Sequence, residues 1–408
     1  MICPSTINTN TSDLPSLGVS DFNNYKFRHA SENYNGSSKV SNEKLLKYIK
    51  EAVSKTVSKD KKHLLMLSDG KDSLSLAIAL SELGIECQTL TLLRRRDDDM
   101  RSYLTGVCKK LGHTPYFINV DEIVESLDVN LYLDSFKKME TPVLDQGYIF
   151  FLFGINQFFK KYNFCAENYE IIDGLGNDEY LGYMMSKGQW WSFKLSKLGL
   201  WKLLPNGMKS LKWFLRSPAE SNGDLSTLAC FFNLSSSYDL NSYFSKIPSS
   251  TEKLTYLDFR AFSRGAFHDH QCMMGKADVS ARYLGSSAVF PWLEEGLSTF
   301  CFNIPLVEKL NFEKITNKIP LRKLLKEKLD WEQDKRGVDL FVDLDLQTFK
   351  DKILNEMVPD DLSNKILNHQ LLGDSIKKRA CLELANFYGF CLNNGFSDSE
   401  IREILIKK

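Results

Sequence analysis

A short apolar run followed at once by a polar loop, LLMLSDGKDS at residues 64–73, constrains the fold of this chain more than any other segment. The run at 64–67 predicts a buried parallel strand, and the apolar positions of residues 74–83 predict a helix directly after it. A loop between such a strand and helix directs its backbone N–H groups and the positive end of the helix dipole at a ligand. We therefore expect a phosphate-binding strand–loop–helix unit. A turn that merely caps the helix is the alternative.

The loop carries small and charged side chains. Gly70 permits close approach of the backbone to a phosphate, and the hydroxyls of Ser68 and Ser73 add donors. Asp69 is the exception, because a carboxylate beside phosphate oxygens repels them unless it turns outward or meets Mg²⁺.

A second apolar segment comes before a glycine-rich acidic turn at residues 171–183, IIDGLGNDEYLGY. Two acidic side chains at separate strand ends supply two hard oxygen donors. Such a pair suits Mg²⁺ that bridges phosphate oxygens, because this ion keeps several waters and takes few protein ligands. An Asp/Asn/Gly turn in which Glu179 caps a helix is the alternative.

These two segments resemble the synthetase domain of asparagine synthetases, within the ATP pyrophosphatase superfamily. The first is similar to the pyrophosphate loop S-G-G-x-D-S, with Asp69 where the family usually has its first Gly, and it lacks the G-x-x-x-x-G-K-[ST] pattern of a Walker loop. The second is similar to S-G-E-G-x-D-E-x-x-G-G-Y. The resemblance implies ATP and Mg²⁺ as cofactors, with Asp72 and Asp178 as metal ligands. It implies these nucleotide-binding residues: Leu67, Ser68, Asp69, Gly70, Lys71, Asp72, Ser73, Leu92, Gly174 and Gly176.

A third match, KIPLR at residues 318–322, resembles the K-x-x-L-R segment of the same family. In that family the lysine stabilises the negative charge of acyl transfer. The resemblance implies this role for Lys318 and makes Arg322 and Glu179 further catalytic candidates. K-x-x-L-R is a common pattern, and a solvated lysine is the alternative. Two weaker matches lie at residues 276–278 and 290–294.

The N-terminal segment separates this chain from the glutamine-dependent members of that family. Those enzymes begin with a Cys nucleophile on a glutaminase domain, whereas Cys3 here follows Met1 and Ile2. Only about 44 residues, rich in Ser, Asn and Asp, precede the first expected helix, too few to bury the core of a separate domain. We expect that the chain does not itself release ammonia from glutamine.

Three substitutions relative to the family pattern alter the expected acceptor pocket. Leu175 stands where the family has the Glu of S-G-E-G, Ser287 replaces another Glu, and Val289 replaces an Arg. An amino acid such as aspartate would meet fewer charged partners, and burying an unpaired charge costs several kcal/mol. We therefore expect a different substrate.

Composition bounds the partners and the compartment. The chain has 52 basic and 52 acidic residues, so it offers no overall attraction for nucleic acid or for an anionic membrane. Its nine cysteines include no CxxC pair, which predicts reduced thiols in the cytoplasm. The apolar run at 150–158 is too short and too interrupted for a membrane span and predicts a core helix.

The charges of residues 94–99, RRRDDD, predict a self-compensated loop. An arginine that contacts phosphate is the alternative.

Alternation of strands and helices predicts an α/β fold, a parallel sheet with helices on both faces, followed by a mainly helical C-terminal part. We expect strands at 64–67, 86–93, 114–119 and 169–173, and helices at 73–83, 99–111 and 148–162. We expect a polar N-terminal extension at 1–44, an ATP-binding synthetase domain at 45–340 and a helical C-terminal tail at 341–408. For the aromatic region 190–215 we expect core, with a substrate lid or a partner surface as alternatives.

Two further groups of residues offer other chemistry. The run His268 to Cys272, HDHQC, has side chains able to bind zinc. Positions two apart cannot share one helical face, so a core helix is expected, with a metal site on a strand or loop as the alternative. Cys87 or Cys108 could serve sulfur transfer by the same ATP loop. Cys108 falls on an apolar helix face, where a buried thiol behaves as a small hydrophobe.

The function expected from these features is ATP-dependent amide bond formation. ATP would adenylate a carboxylate of a small molecule or peptide, and an amine or ammonia would then displace AMP, in specialised-metabolite or surface-sugar biosynthesis. The alternatives are thiolation, a nucleotide-binding protein without catalysis, and a subunit that depends on a separate nitrogen donor or partner protein.

Overall fold

The computed structural model describes residues 39–139, 143, 145–182, 231–232, 273–311, 313–314, 316–332 and 340–406. Five strands form one sheet, in which every pair of neighbours is parallel and the strand order is β3-β2-β1-β4-β5. The strands are β1 Lys62–Met66, β2 Gln88–Leu93, β3 Thr114–Asn119, β4 Tyr169–Ile172 and β5 Ser287–Val289. The predicted α/β fold class is confirmed.

Helices connect and cover these strands. The first part of the chain contains α1 Asn42–Thr56, α2 Lys71–Glu82, α3 Asp98–Leu111, α4 Val120–Glu125, α5 Val129–Ser135 and α6 Tyr148–Lys161. Before and after β5 lie α7 Gly275–Tyr283, α8 Glu295–Phe302, α9 Leu306–Lys309 and α10 Ile319–Leu329. The C-terminal part contains α11 Leu346–Phe349, α12 Asn355–Met357, α13 Asp360–Leu367, α14 Asp374–Asn393 and α15 Asp398–Ile406, so it is helical as predicted.

Two contacts of β2 show that helices pack on both faces of the sheet. The hydroxyl of Thr89 lies 3.4 Å from the sulfur of Cys108 in α3. Leu92 packs against Gly154 of α6, where an added Cβ would lie 2.7 Å from its side chain. Because successive residues of a strand point to opposite faces, positions 89 and 92 face opposite sides, so α3 and α6 cover different faces. The expected doubly covered sheet is therefore present.

The strand order reverses between β1 and β4. The chain runs outward from β1 through β2 to β3, and β4 then returns to the other side of β1, where Leu65 pairs with Ile172. In sheets of this kind ligands bind in the crevice at the carboxyl ends of the strands where the order reverses. The loops that follow β1 and β4 carry the two motifs of residues 64–73 and 171–183. The topology thus brings them to one crevice.

The element boundaries differ slightly from those predicted. Helix α2 begins at Lys71, directly after its N-cap Gly70, so Asp72 lies in the first helical turn and not in the loop. An acidic side chain is favourable at this place because it faces the positive end of the helix dipole. Strand β2 begins at Gln88, two residues later than expected, and β3 has the predicted bounds.

The predicted core helix around residues 150–158 is confirmed, because α6 buries most of its side chains. None of the described helices is long and apolar enough to cross a membrane. The aromatic region 190–215 and the HDHQC run at 268–272 lie outside the described residues, as does most of the predicted N-terminal extension.

Candidate functional site

Serine hydroxyls brace the loop between β1 and α2. The N–H of Ser68 donates to Ser73 Oγ at 3.1 Å, and Ser73 Oγ donates in turn to the carbonyl of Ser68 at 3.1 Å. The N–H of Gly70 donates to Ser68 Oγ at 3.2 Å. The loop is therefore held in shape before any ligand arrives, and binding of phosphate by these hydroxyls stays a prediction.

Trp331 contacts three of the predicted site residues. Its indole N–H donates to the backbone carbonyl of Asp69 at 3.2 Å. The ammonium of Lys71 lies 5.5 Å from the Trp331 ring centre, and the guanidinium of Arg322 lies 5.6 Å from it. Both distances allow cation–π attraction. Trp331 follows the KIPLR motif, and no sequence pattern around it predicts this contact.

The Asp69 side chain does not turn outward, since the residue is buried. Burial, with a further contribution from the nearby Asp69 charge, raises the pKa of Tyr103 to about 12. Solvent therefore does not screen the repulsion that this carboxylate would exert on a phosphate. The carboxylate lies near Tyr103 of α3.

Lys318 joins the two predicted metal ligands. Its Nζ lies 2.6 Å from Asp72 Oδ2 and 2.5 Å from Asp178 Oδ1. The lysine side chain is only 3% exposed, whereas those of Asp72 and Asp178 are 23% and 31% exposed. Burial by itself would lower the pKa of Lys318, but the charges of Asp178 and Asp72 and their hydrogen bonds outweigh it and raise that pKa. The lysine is therefore not solvated and stays protonated.

The backbone at Lys318 is unusual. Its φ of 51° and ψ of 41° lie in the left-handed region, which costs a residue other than glycine on the order of 1–2 kcal/mol. The residue is the N-cap of α10, and Pro320 follows in the first turn. The side-chain amide of the preceding Asn317 donates to the carbonyl of Gly182 at 3.1 Å, which ties this segment to the turn that begins at Asp178. The surrounding contacts therefore hold Lys318 in a strained conformation.

Two residues beside Asp72 were not recognised from the sequence. The Asn177 side chain, in a residue 1% exposed, donates through Nδ2 to Asp72 Oδ1, and its own Oδ1 is buried with no hydrogen-bond partner among the described residues. The indole N–H of Trp292 donates to the Asp72 carbonyl at 3.3 Å. Asn177 directly precedes Asp178, and Trp292 lies in the FPWLE segment, but only the fold brings either to Asp72.

Glycines let the second loop approach the first helix. At Gly174 an added Cβ would lie 2.9 Å from the backbone nitrogen of Ser73, so any side chain would force the loops apart. Gly176 has a φ of +107°, and a Cβ there would lie 2.7 Å from Leu293 Cδ2. Leu92 turns its side chain to α6, so it can offer a nucleotide only its backbone. Glu179 lies in the π-helical turn Asp178–Gly182, and its catalytic role stays a prediction.

A second lysine-and-carboxylate cluster lies at the end of β4. Asp173 is buried and accepts the N–H of Leu175 through Oδ1 at 2.9 Å. Burial raises the pKa of Asp173 to about 6, against the opposing effects of that hydrogen bond and of the Lys276 charge. Lys276 Nζ lies 3.3 Å from Asp145 Oδ1 and 5.1 Å from the centre of the Phe151 ring. An aspartate directly after an apolar strand was the available sequence signal, and it was missed.

Leu175, Ser287 and Val289, which replace charged residues of the family pattern, do not all lie at the carboxyl ends of the strands. Ser287 pairs with Glu170 near the amino end of β4 and accepts a hydrogen bond from Lys61 at 3.3 Å. It therefore lies at the opposite end of the strand from the carboxyl-end loops. Val289 pairs with Ile172 at the carboxyl end. The expectation of a changed acceptor pocket thus depends on Leu175 and Val289 and not on Ser287.

The charged loop after β2 contains an internal ion pair, and the two candidate cysteines are buried. Arg94 Nη2 lies 2.9 Å from Asp97 Oδ1, so the predicted self-compensated loop is confirmed for this pair. Cys87 and Cys108 are both buried, and burial raises the pKa of each thiol. A raised thiol pKa disfavours the thiolate that sulfur transfer requires.

The residues present fit Mg²⁺ bound together with ATP. Asp72 and Asp178 contact one Nζ, so one small cation can reach both carboxylates, and Mg²⁺ commonly takes one or two carboxylates plus phosphate oxygens. Asp72 lies in the first turn of α2, and the backbone N–H groups at a helix N-terminus are suited to phosphate. No group of three or more His, Cys, Asp and Glu residues in the described ranges could hold a metal ion.

Comparison of the chain with protein-family models gives no match, and comparison with curated proteins gives no match.

Proposed function

We propose that this protein uses ATP to activate a substrate carboxylate and to join it to a nitrogen nucleophile as an amide. The observation that carries the proposal is the meeting of Asp72, Asp178 and Lys318 at the crevice where the strand order reverses. The three residues come from the three segments that resemble asparagine synthetases. Their proximity supports the proposal.

The reaction would proceed in two steps. An oxygen of the substrate carboxylate attacks the α-phosphorus of ATP and pyrophosphate leaves. The nitrogen nucleophile then forms a bond to the acyl carbon, the bond from that carbon to the AMP oxygen breaks, and the nitrogen gives up a proton. Mg²⁺ held by Asp72 and Asp178 would neutralise charge on the departing pyrophosphate. The first turn of α2 would bind phosphate through its N–H groups.

Lys318 would stabilise the charge that develops on the acyl oxygen and on the departing AMP. A protonated ammonium suits this task, because a positive charge stabilises the negative charge that develops there. Arg322 stacks on Trp331, which also binds the Asp69 carbonyl, and would support the same wall of the crevice.

The substrate would be a small-molecule or peptide carboxylate, with its own amine or a separate nitrogen donor as nucleophile. The apolar Leu175 disfavours a second charged group near the acyl centre. The six cysteines in the described ranges are free thiols, which supports a reducing compartment such as the cytoplasm. A role in specialised-metabolite or surface-sugar biosynthesis completes the proposal.

The nucleotide products test this function. The full-length protein with Mg²⁺-ATP and a panel of carboxylates and amines should release AMP and pyrophosphate, and should exchange labelled pyrophosphate into ATP when only the carboxylate is present. Asp178→Asn should reduce both rates by on the order of a hundredfold, because it would weaken the binding of the Mg²⁺ whose charge stabilises the transition state. Release of ADP alone would contradict the proposal.

Two alternatives predict different results in the same experiment. Thiolation would require a sulfur donor and a reactive cysteine, and burial of Cys87 and Cys108 counts against these two. A nucleotide-binding protein without catalysis would bind ATP and give no exchange with any carboxylate. The buried Asp69 beside the loop is the observation that favours this second alternative.

A further inference from the structure

Lys318 and a divalent cation would use the same carboxylate oxygens. Asp72 Oδ2 and Asp178 Oδ1 each lie within 2.6 Å of Lys318 Nζ. Two carboxylates and one ammonium leave a net charge of −1, which still attracts a cation. A divalent ion bound to the same oxygens would lie beside the ammonium and repel it. The two cations therefore compete.

The proposed chemistry cannot use Lys318 where it now lies. The side chain is 3% exposed and its ammonium is held by two carboxylates, so it has no access to an acyl group in the crevice. A lysine that acts in acyl transfer must first leave this pair. Departure of the ammonium would leave two carboxylates facing each other, and only another cation can compensate their charge.

Asn177 lies against the same carboxylate and carries a buried acceptor without a partner among the described residues. The acceptor is its Oδ1, and its Nδ2 binds the Asp72 carboxylate. Native proteins rarely leave such an acceptor unsatisfied unless a water, an ion or a ligand completes it.

We propose that Lys318 is the resident cation of the Asp72–Asp178 pair, and that a divalent cation exchanges with it and releases its ammonium toward the crevice. The proposal rests on the proposed function for the use of the released lysine, but the exchange itself requires neither nucleotide nor turnover. Metal binding would in this way prepare the site for acyl transfer, and without the metal the lysine stays paired.

Binding of Mn²⁺ to the full-length protein tests the exchange. Mn²⁺ is the probe, and electron paramagnetic resonance of free Mn²⁺ gives its dissociation constant. Lys318→Met should bind Mn²⁺ at least tenfold more tightly than the wild type, because the competing ammonium is gone. Asp178→Asn added to that variant should remove the gain. Lys309→Met is the matched control, since Lys309 is also buried but donates to the carbonyl of Phe302 at 2.7 Å.

A measurement on the wild type covers the case in which Lys318→Met does not fold. Acetylation of Lys318 by acetic anhydride, read by mass spectrometry, should be slow without a divalent ion and rise at least severalfold with saturating Mg²⁺. Equal Mn²⁺ affinity of wild type and Lys318→Met, or acetylation of Lys318 unchanged by Mg²⁺, would overturn the exchange. If exchange occurs but AMP is never formed, the proposed function fails alone. If AMP forms without exchange, only the exchange fails.

Discussion

The indole N–H of Trp331 donates to the backbone carbonyl of Asp69 at 3.2 Å, although 262 positions separate the two residues in sequence. This contact fixes the loop before α2 from the side of α10, where Arg322 and Lys71 also lie against the Trp331 ring. The shape of the candidate phosphate loop therefore depends on a residue outside every motif found in the sequence.

Trp331→Phe should weaken nucleotide binding, although it keeps an aromatic ring at this position. Loss of one buried hydrogen bond should reduce the free energy of unfolding by about 1 kcal/mol, and ATP affinity should fall roughly three- to tenfold as the loop at Asp69 loosens. Calorimetric titration with a non-hydrolysable ATP analogue and thermal unfolding give the two values. Ile353→Val, a core change in the C-terminal part with a similar expected cost, is the control for stability alone. Unchanged ATP affinity in Trp331→Phe would limit Trp331 to a structural role.

Asp173→Asn should stabilise the protein at alkaline pH. Burial raises the folded-state pKa of Asp173 from 3.8 to about 6, so the folded protein binds this proton more tightly than the unfolded chain does. That contribution to stability is fully present below pH 3.8 and is lost as the pH rises through about 6. The loss corresponds to about 3 kcal/mol for a shift of this size, and a neutral asparagine avoids it.

The pH dependence of unfolding checks this result. Asp173→Asn should exceed the wild type in free energy of unfolding at pH 8, and the difference should vanish near pH 4. The same change at the exposed Asp60 should alter stability little at either pH. A variant that is less stable than the wild type at pH 8 would show that the charge of Asp173 is compensated, with Lys276 as the available partner.

Local sequence patterns were enough to predict four of the five strands and the position of the loops after β1 and β4, whereas the short strand β5 was not expected. The apolar runs gave β1 and β4, and the glycine-rich turns after them reach one crevice because parallel strands place their carboxyl ends at one edge. The resemblance to asparagine synthetases paired Asp72 with Asp178, and the position of the two loops at one edge agrees with that pairing.

The contacts of Lys318 could not be predicted in the same way. Its distance of 246 positions from Asp72 leaves no periodic signal, and its left-handed backbone follows from tertiary contacts, since lysine has no intrinsic preference for that region. The cluster of Asp173, Lys276 and Asp145 was missed for a related reason. Burial decides the chemistry of these side chains, and burial is a property of the packed fold.

Cysteine variants separate amide formation from thiolation. Attack of an amine on an acyl adenylate needs no thiolate, so Cys87→Ala and Cys108→Ala, singly and together, should keep AMP formation within a few-fold of the wild type. Both side chains are buried, so the variants should lose stability, by roughly 1 kcal/mol for each small buried group. Circular dichroism and ATP binding verify folding. Complete loss of turnover in a folded variant that still binds ATP would instead favour sulfur transfer.

Lys318→Ala should affect product formation far more than nucleotide binding. The acyl-transfer charge exists only in the transition state, so loss of the ammonium should lower the rate of amide formation by roughly two to three orders of magnitude. Affinity for Mg²⁺-ATP should not fall, because Asp72 and Asp178 remain available to the metal and no longer hold the competing ammonium. Lys318→Arg should not restore the rate, since a planar guanidinium does not replace a compact ammonium. Single-turnover kinetics with separate measurement of ATP binding distinguish the two effects. Parallel loss of binding and of product formation would make Lys318 a phosphate ligand.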